Sequence, residues 1–580
     1  MEHQYSTARV SKRRTDESAA CLRARYCADL AWLDLDFVHF VALAQAPAPQ
    51  SRKLTLIWRS FVSTVNNPLG RIKHVVVLML ENRSFDNVLG WLYDSKNEPP
   101  FDCAPRGQSF EGVSGKILTN PVPGGDAEVT ECIDMVAPYP NPYEAFADVY
   151  RQMYNADPPP DPSKPFPDPS GQPSMQGFAL NYASAINEYK KAHPDKKVTT
   201  APGDIMRCYR PKSLPVINGL ANAYAVCDRW FSSVPTETFP NRSFVHSGTS
   251  SGHVYNEWST GEHKWDIGVE INHEKTIFNL LEEAGLSWGI YHGESLLASF
   301  AFLLNKQLHP YASLNHQKNR FFHMDRFYED AKKGRLPCYS FIEPRYFDSL
   351  LFGAQNDMHP SYLPVALDGP SNLLNGERLI YDVYEALRDG PGWPETLLII
   401  TFDEHGGCYD HVPPPAAEPP DDLVIPPGKP GGSGFVFNRL GVRVPTVIVS
   451  PLVEPGAICH TVFDHTSIIK TVINCFGLKD SQGNPATLGN RVSAAKDVGE
   501  VITLGRPRED APKIEPLPLP QHDSLLERPL SRLHKLILQV AKHHRFLAGE
   551  VAGLALIETT HRAVAALEEK AKEVLSRLIP

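Results

Sequence analysis

At 580 residues the chain is long for one hydrophobic core, and length alone points to about two to four domains, or to one large core carrying insertions. Hydrophobic residues make up 42% and charged residues 21%, which suits a globular protein. The formal charge of −10, with no long basic run, disfavours nucleic acid as a partner, and no apolar stretch approaches the ~18 residues that a membrane span needs.

Residues 1–70 read as an extension. Lys12-Arg13-Arg14 precedes a partly apolar stretch, Leu30 to Ala46, that ends like a signal cleavage site. Asp34 and Asp36 lie inside it and fit a signal peptide poorly, so localisation stays open, with secretion or the periplasm as options. None of the ten cysteines forms a C-x-x-C pair, which argues against a structural zinc site. Cys103 and Cys132 bracket a turn-rich segment, compatible with a disulfide or with free thiols.

The first strong element is His74-Val75-Val76-Val77-Leu78-Met79-Leu80, an apolar run that predicts a strand buried on both faces. It stops abruptly at Glu81-Asn82, and a helix is expected after Phe85. Acidic and amide groups at the carboxyl end of a buried strand lie where open α/β sheets bind ligands. Residues 94–172 are turn-rich and Pro-heavy, an insertion able to wall a site. Helix-like periodicity follows over 176–230, with short strands expected at Ala223–Cys227, Leu286–Tyr291 and Leu336–Ile342. A helical segment around Leu379–Leu387 leads to the strand Thr396–Phe402, which runs straight into Asp403-Glu404. Val444–Val449 is a further strand, beyond a Pro/Gly loop at Val412–Gly434. Strands alternating with helices predict an α/β fold, a mostly parallel sheet sandwiched by helices. Beyond about Arg506 a Pro-rich linker leads to Leu530–Ile579, where Leu530, Leu533, Ile537 and Val540 share one helical face. This predicts three parts: an extension (1–70), a catalytic domain (71–505) and a helical C-terminal appendage (506–580). The appendage could pack as an accessory bundle or contact a membrane surface.

Two buried parallel strands ending in acids bring those acids to one edge, and a hard divalent cation is the usual way to hold carboxylates together at a dry rim. Pro235-Thr236-Glu237-Thr238-Phe239-Pro240-Asn241-Arg242 adds a hydroxyl. With Pro240 expected at the first helical position, Thr238 would lie beside a helix amino end that favours anions. Such a hydroxyl near a metal can attack phosphorus, although a Thr that only caps a helix is the commoner case. Arg242 could fork onto phosphate oxygens or make a structural ion pair.

Glu81-Asn82-Arg83-Ser84-Phe85-Asp86, Thr238-Phe239-Pro240-Asn241-Arg242, Asn356-Asp357-Met358-His359-Pro360, Asp403-Glu404-His405-Gly406-Gly407 with Asp410-His411, and Asp464-His465-Thr466-Ser467 together resemble the phosphoesterase family over about residues 72–480. That family holds non-specific phospholipases C and a related acid phosphatase, and it looks like a branch of the alkaline-phosphatase superfamily. The resemblance implies an alkaline-phosphatase-like core. It implies a divalent metal ion held by Glu81, Asn82, Thr238, Asp403 and Glu404, with Thr238 the nucleophile. It further implies that His359 binds or protonates the phosphoryl group and that Arg242 and His292 contact substrate. Asp410-His411 and Asp464-His465 match motifs without a clear chemical role, and His405 is expected to be substitutable. The implied activity is phospholipase C on phospholipids, with acid phosphatase on small monoesters as the alternative. The terminal helices differ from the β-rich extension of some secreted bacterial members, so lipid specificity does not carry over.

Three rival readings fit parts of the sequence. Gly248-Thr249-Ser250-Ser251-Gly252 matches a serine-hydrolase elbow but lacks a convincing flanking strand and helix. Thr238-x-Pro240-x-Arg242 has sulfatase spacing, but Thr is a secondary alcohol and would oxidise to a ketone rather than an aldehyde. An inactive scaffold binding through the C-terminal helices would normally have lost a ligand or the nucleophile, and none is missing.

Overall fold

The computed structural model describes residues 67–519, apart from 159–163, 165–170, 196, 257–271, 295, 297–298, 313–318, 347–353, 361–370 and 430. The N-terminal extension up to residue 66 and the amphipathic stretch Leu530–Ile579 lie outside the described residues. No helix among the described residues is long and apolar enough to cross a membrane.

The main sheet has eight strands: β1 (His74–Leu80), β2 (Ala225–Cys227), β3 (Trp288–His292), β4 (Phe321–His323), β5 (Tyr339–Glu343), β6 (Thr396–Phe402), β7 (Val447–Val449) and β8 (Ala457–Cys459). Their order is β8-β2-β7-β6-β1-β5-β3-β4. All neighbours run parallel except β7, which is antiparallel to both β6 and β2. This is the mostly parallel α/β sheet that the alternating pattern predicts. β1 and β6 pair along their whole length, from His74 with Thr396 to Leu80 with Phe402. Val75 to Leu80 and Leu397 to Ile400 are fully buried, as continuous apolar runs in a sheet covered on both faces must be.

The helices that matter most here are α1 (Phe85–Leu89), α2 (Pro215–Ala223), α3 (Thr238–Ser247), α4 (Leu373–Arg388) and α5 (Thr466–Phe476). α4 holds the start of α2 through buried Glu377, which accepts the Val216 and Ile217 N–H groups at 2.6 and 3.0 Å. Burial still pushes that carboxyl up to about 7.

Several boundaries differ from the expectation. Tyr224 ends α2, so β2 begins only at Ala225. Pro445 lacks an N–H, and Val444 donates instead to the Trp230 carbonyl at 2.9 Å, so β7 shortens to Val447–Val449. β4 and β8 were not expected, because three residues carry no periodicity. The turn-rich insertion contains a hairpin (Thr119–Val122 with Gly125–Glu128), a strand Thr130–Cys132 paired with Arg207–Tyr209, and a helix Phe146–Tyr154. Cys103 is exposed and Cys132 buried, and both are free thiols rather than a disulfide. Part of the stretch expected as a linker lies on the core. Arg508 N–H donates to Pro451 O at 2.8 Å and the Tyr384 hydroxyl to Pro512 O at 2.7 Å.

Candidate active site

Because Leu80 and Phe402 are register partners, Glu81 and Asp403 leave the sheet side by side. The Glu81 N–H donates to the Asp357 carbonyl at 2.8 Å, and the Asp403 N–H to the Leu80 carbonyl at 3.2 Å. The chain then turns: Asn82 has φ 55°, and its N–H donates to Asp403 Oδ1 at 3.1 Å. Asp403 Oδ1 also accepts the Glu404 N–H at 2.7 Å. Glu81, Asn82, Asp403 and Glu404 are all fully buried.

α3 brings the hydroxyl and the guanidinium. The helix starts at Thr238, so Pro240 is its third residue rather than its first, still within the turn that needs no intrahelical N–H. The Phe239 N–H is taken by Asn256 Oδ1 at 2.7 Å. Asn241 pins the preceding loop by donating to the carbonyls of Val234, Thr236 and Glu237 at 3.1, 2.9 and 3.2 Å. Thr238 Oγ1 donates to Glu81 Oε2 at 3.4 Å. Arg242, one turn on, is fully buried; its Nε donates to Glu81 Oε1 at 2.9 Å and to Asp403 Oδ2 at 3.3 Å. Its Nη1 has no hydrogen-bond partner among the described residues.

The electrostatics are those of crowded buried acids. Burial pushes Glu81 well above the usual carboxylate range; Arg242 opposes the rise, and Asp403 and Asp357 add to it. Burial likewise raises Glu404, reinforced by Glu144 and Asp403. Two buried oxygens in this group, Asn82 Oδ1 and Glu404 Oε1, have no hydrogen-bond partner among the described residues. Buried oxygens are normally satisfied, and an excess of buried acid over one arginine is what a divalent cation relieves. The donor set therefore fits a hard cation.

A tighter cluster lies nearby. Among the described residues, the one trio of His, Cys or carboxylate groups whose ligand atoms all fall within 4.8 Å of one another is Asp86, Asp410 and His411. Its charge is already met: Arg443 donates to Asp86 Oδ1 and to Asp410 Oδ1, each at 2.9 Å. His411 Nδ1 lies 2.6 Å from Asp86 Oδ2. The arrangement is a hydrogen-bonded brace joining the first turn of α1 to the turn after β6.

His359 is buried, with Nδ1 against the Pro360 carbonyl and Nε2 4.0 Å from Glu144 Oε2. Burial pushes its imidazole down to about 3. His465 Nε2 donates to the Asp403 carbonyl at 2.6 Å, while Trp230 Nε1 donates to its Nδ1 at 3.4 Å. Asp464 caps the entry of α5, accepting the Thr466 N–H at 3.1 Å. His292 ends β3, two strands from β1, and its Nδ1 meets the Glu294 carbonyl at 2.5 Å. No hydrogen bond or ion pair joins it to the acids among the described residues. Ser250 follows α3 instead of opening a helix, and its hydroxyl donates to the His253 carbonyl at 2.6 Å, which removes the serine-hydrolase geometry.

Two residues escaped the sequence reading. Glu144 accepts from Asn82 Nδ2 at 2.8 Å, and Gln152 Oε1 lies 2.7 Å from His405 Nε2. Both come from the Pro-heavy insertion, where nothing in the local pattern marks them. His405, expected to be substitutable, is buried and joins that insertion to the Asp403-Glu404 turn.

The model of the phosphoesterase family matches residues 72–479. Non-specific phospholipase C4 of Arabidopsis thaliana is 37% identical over 458 residues, covering 77% of this chain and 75% of that protein. Phospholipase C B of Mycobacterium tuberculosis is 29% identical over 495 residues, covering 78% and 82%. Among solved structures, a protein of the alkaline phosphatase superfamily from Vibrio parahaemolyticus matches at TM-score 0.27 and 11% identity, over 48% of this chain and 63% of that one. The chain belongs to the phosphoesterase family, hydrolases that act on phosphoric ester bonds.

Proposed function

We propose that this protein is a metal-dependent phospholipase C that cleaves the bond between glycerol and phosphate in phospholipids, with Thr238 as nucleophile. The observation that carries this reading is Thr238 Oγ1 at 3.4 Å from Glu81 Oε2, at the start of α3 and among acids whose buried oxygens lack partners. The phospholipase C relatives support the substrate class.

Glu81, Asn82, Asp403, Glu404 and Thr238 would hold the cation, which supplies Lewis-acid stabilisation of negative charge on the hydroxyl and the phosphoryl oxygens. Thr238 Oγ1 attacks phosphorus as the bond to the glycerol oxygen breaks, and Glu81 Oε2 accepts the hydroxyl proton. Water then attacks phosphorus, releasing the phosphorylated headgroup and restoring Thr238. His359 has Nδ1 committed to a carbonyl, so Nε2 is the atom that carries a proton to the departing glycerol oxygen. Burial pushes this imidazole down to about 3, so Nε2 would take up that proton only with the negative charge of the bound phosphate beside it, Glu144 lying 4.0 Å away. Arg242 has Nε committed to Glu81 and Asp403, and would reach a phosphoryl oxygen only through Nη1. For His292 the substrate-facing atom would be Nε2, since Nδ1 is engaged by Glu294.

The test compares phosphatidylcholine vesicles with a soluble phosphomonoester, each with and without chelator. Chelator-sensitive release of diacylglycerol and phosphocholine is expected. Turnover of the monoester alone would favour the acid phosphatase, and chelator-insensitive turnover of both would remove the metal.

A further inference from the structure

We propose that Glu144 is a positioning residue: it fixes which end of the Asn82 carboxamide faces the cation, a role that rests on the metal reading above. A carboxamide has an oxygen and an NH₂ at nearly equal reach, and only the oxygen can bind a hard cation. Something must hold the NH₂ away. Glu144 Oε2 accepts from Asn82 Nδ2 at 2.8 Å, and an ionised carboxylate only accepts, so the opposite orientation would set an oxygen against an oxygen. The outcome is Asn82 Oδ1 buried and without a partner among the described residues, at the place where the acids converge.

The backbone is built to deliver Glu144 there. A Cβ on Gly406 (φ +59°) would meet the Asn82 carbonyl oxygen at 2.3 Å, and one on Gly407 (φ +67°) would meet Pro142 Cβ and Tyr143 O, each at 2.6 Å. Only glycines let the turn after Glu404 slide between Asn82 and the insertion. Gln152 then fastens the insertion in place. Its Nε2 donates to the Tyr143 carbonyl and its Oε1 meets His405 Nε2, each at 2.7 Å, while His405 Nδ1 lies 3.3 Å from Glu404 Oε2. A continuous chain of contacts thus runs from Glu404 through His405 and Gln152 to the residue before Glu144, and from Glu144 to Asn82. Two metal-site residues are set by one insertion.

The experiment titrates Mn²⁺ into wild type, Glu144→Ala, Glu144→Gln and Asn82→Asp/Glu144→Ala, following bound ion by electron paramagnetic resonance, with melting temperatures of the apo proteins as the fold control. Glu144→Ala should weaken Mn²⁺ by about tenfold to a hundredfold, the usual scale for groups that orient ligands. Glu144→Gln can present its amide oxygen to Asn82 Nδ2 and should lose less. Asn82→Asp/Glu144→Ala should recover affinity, because a carboxylate offers oxygen from either end and needs no orientation. Wild-type Mn²⁺ affinity in Glu144→Ala, or no recovery in the double variant, would overturn the positioning role and leave the metal site standing. Failure of wild type to bind any Mn²⁺ would overturn the metal reading together with this one.

Discussion

Thr238 and Glu81 stand 157 positions apart in sequence, and the threonine hydroxyl donates to Glu81 Oε2 at 3.4 Å. Asn241, one turn further along the same helix, fixes the loop that leads into Thr238, so the hydroxyl is held from both sides. Thr238→Ala deletes the attacking oxygen while leaving the acids and the helix start in place. Turnover should fall by about a thousand-fold or more, with metal binding retained. Thr238→Ser should keep measurable activity, and rapid acid quenching of wild type with substrate should trap phosphate on Thr238. An alanine variant within a few-fold of wild type would make Thr238 a structural residue and water the nucleophile.

Asp403 is the hub of the acid group, with Oδ1 accepting two backbone N–H groups and Oδ2 facing Arg242. Asp403→Asn keeps one oxygen for the backbone but turns an amide towards the guanidinium and removes a full negative charge. Bound metal, measured by elemental analysis after dialysis, should fall together with turnover. Unchanged metal content would take Asp403 out of the site.

Much of this geometry is legible in the primary structure for a physical reason. Val75–Leu80 and Thr396–Phe402 are buried on both faces, so their apolar runs announce the strands, and Glu81 and Asp403 mark where those runs end. Glu144 and Gln152 announce nothing. Their place depends on a long excursion of the chain that returns through glycine contacts at Gly406 and Gly407, and such tertiary closure leaves no periodic trace. Pro240 fits the third helical position as well as the first, so the motif alone does not mark Thr238 as the start of α3. The arginine's main engagement was also not to be read from its motif. Spacing places Arg242 near the site, but only the fold turns its Nε onto Glu81 and Asp403.

That engagement carries its own prediction. Arg242→Met removes the cation bonded to the fully buried Glu81 and Asp403 and should cost about 3–5 kcal/mol, the range for breaking a buried pair from one side. The deficit, read from urea midpoints, should shrink on acidification, since burial already raises Glu81 and a protonated Glu81 needs no cation beside it. It should also shrink on adding a divalent cation. A variant as stable as wild type at neutral pH without metal would show that the pair contributes no net stability.

Arg508 and Tyr384 tie the stretch after Arg506 to the rest of the fold. Arg508 donates to Pro451 and Ala223 carbonyls at 2.8 and 2.5 Å, and Tyr384 reaches Pro512. A chain ending near Arg506 should therefore melt lower than the full chain. One ending after Leu519 should keep the melting temperature and the hydrolysis of a soluble phosphoester. If the removed segment serves lipid surfaces, action on vesicles should drop in that second form; equal vesicle activity would deny the segment that role.

The last prediction concerns pH and the brace of Asp86 and His411, whose ring nitrogen and carboxylate lie 2.6 Å apart. Burial disfavours charged His411, yet Asp86 outweighs it and lifts the imidazole above its ordinary 6.5. A raised pKa means that the folded state binds the proton more tightly than the unfolded chain does. This stability is fully present below about pH 6.5 and is lost as pH rises through the folded value. For Asp86, burial acts upwards, but His411 and Arg443 win and hold the carboxyl below its ordinary 3.8. Its contribution is present above that value and is lost as pH falls through the lower, folded one. The pair should thus stabilise the protein most between the two limits. Urea unfolding of wild type and His411→Gln at pH 6 and at pH 9 checks this. The gap between the two proteins should be larger at pH 6, and an equal gap at both would mean that His411 serves only as a neutral hydrogen-bonding group.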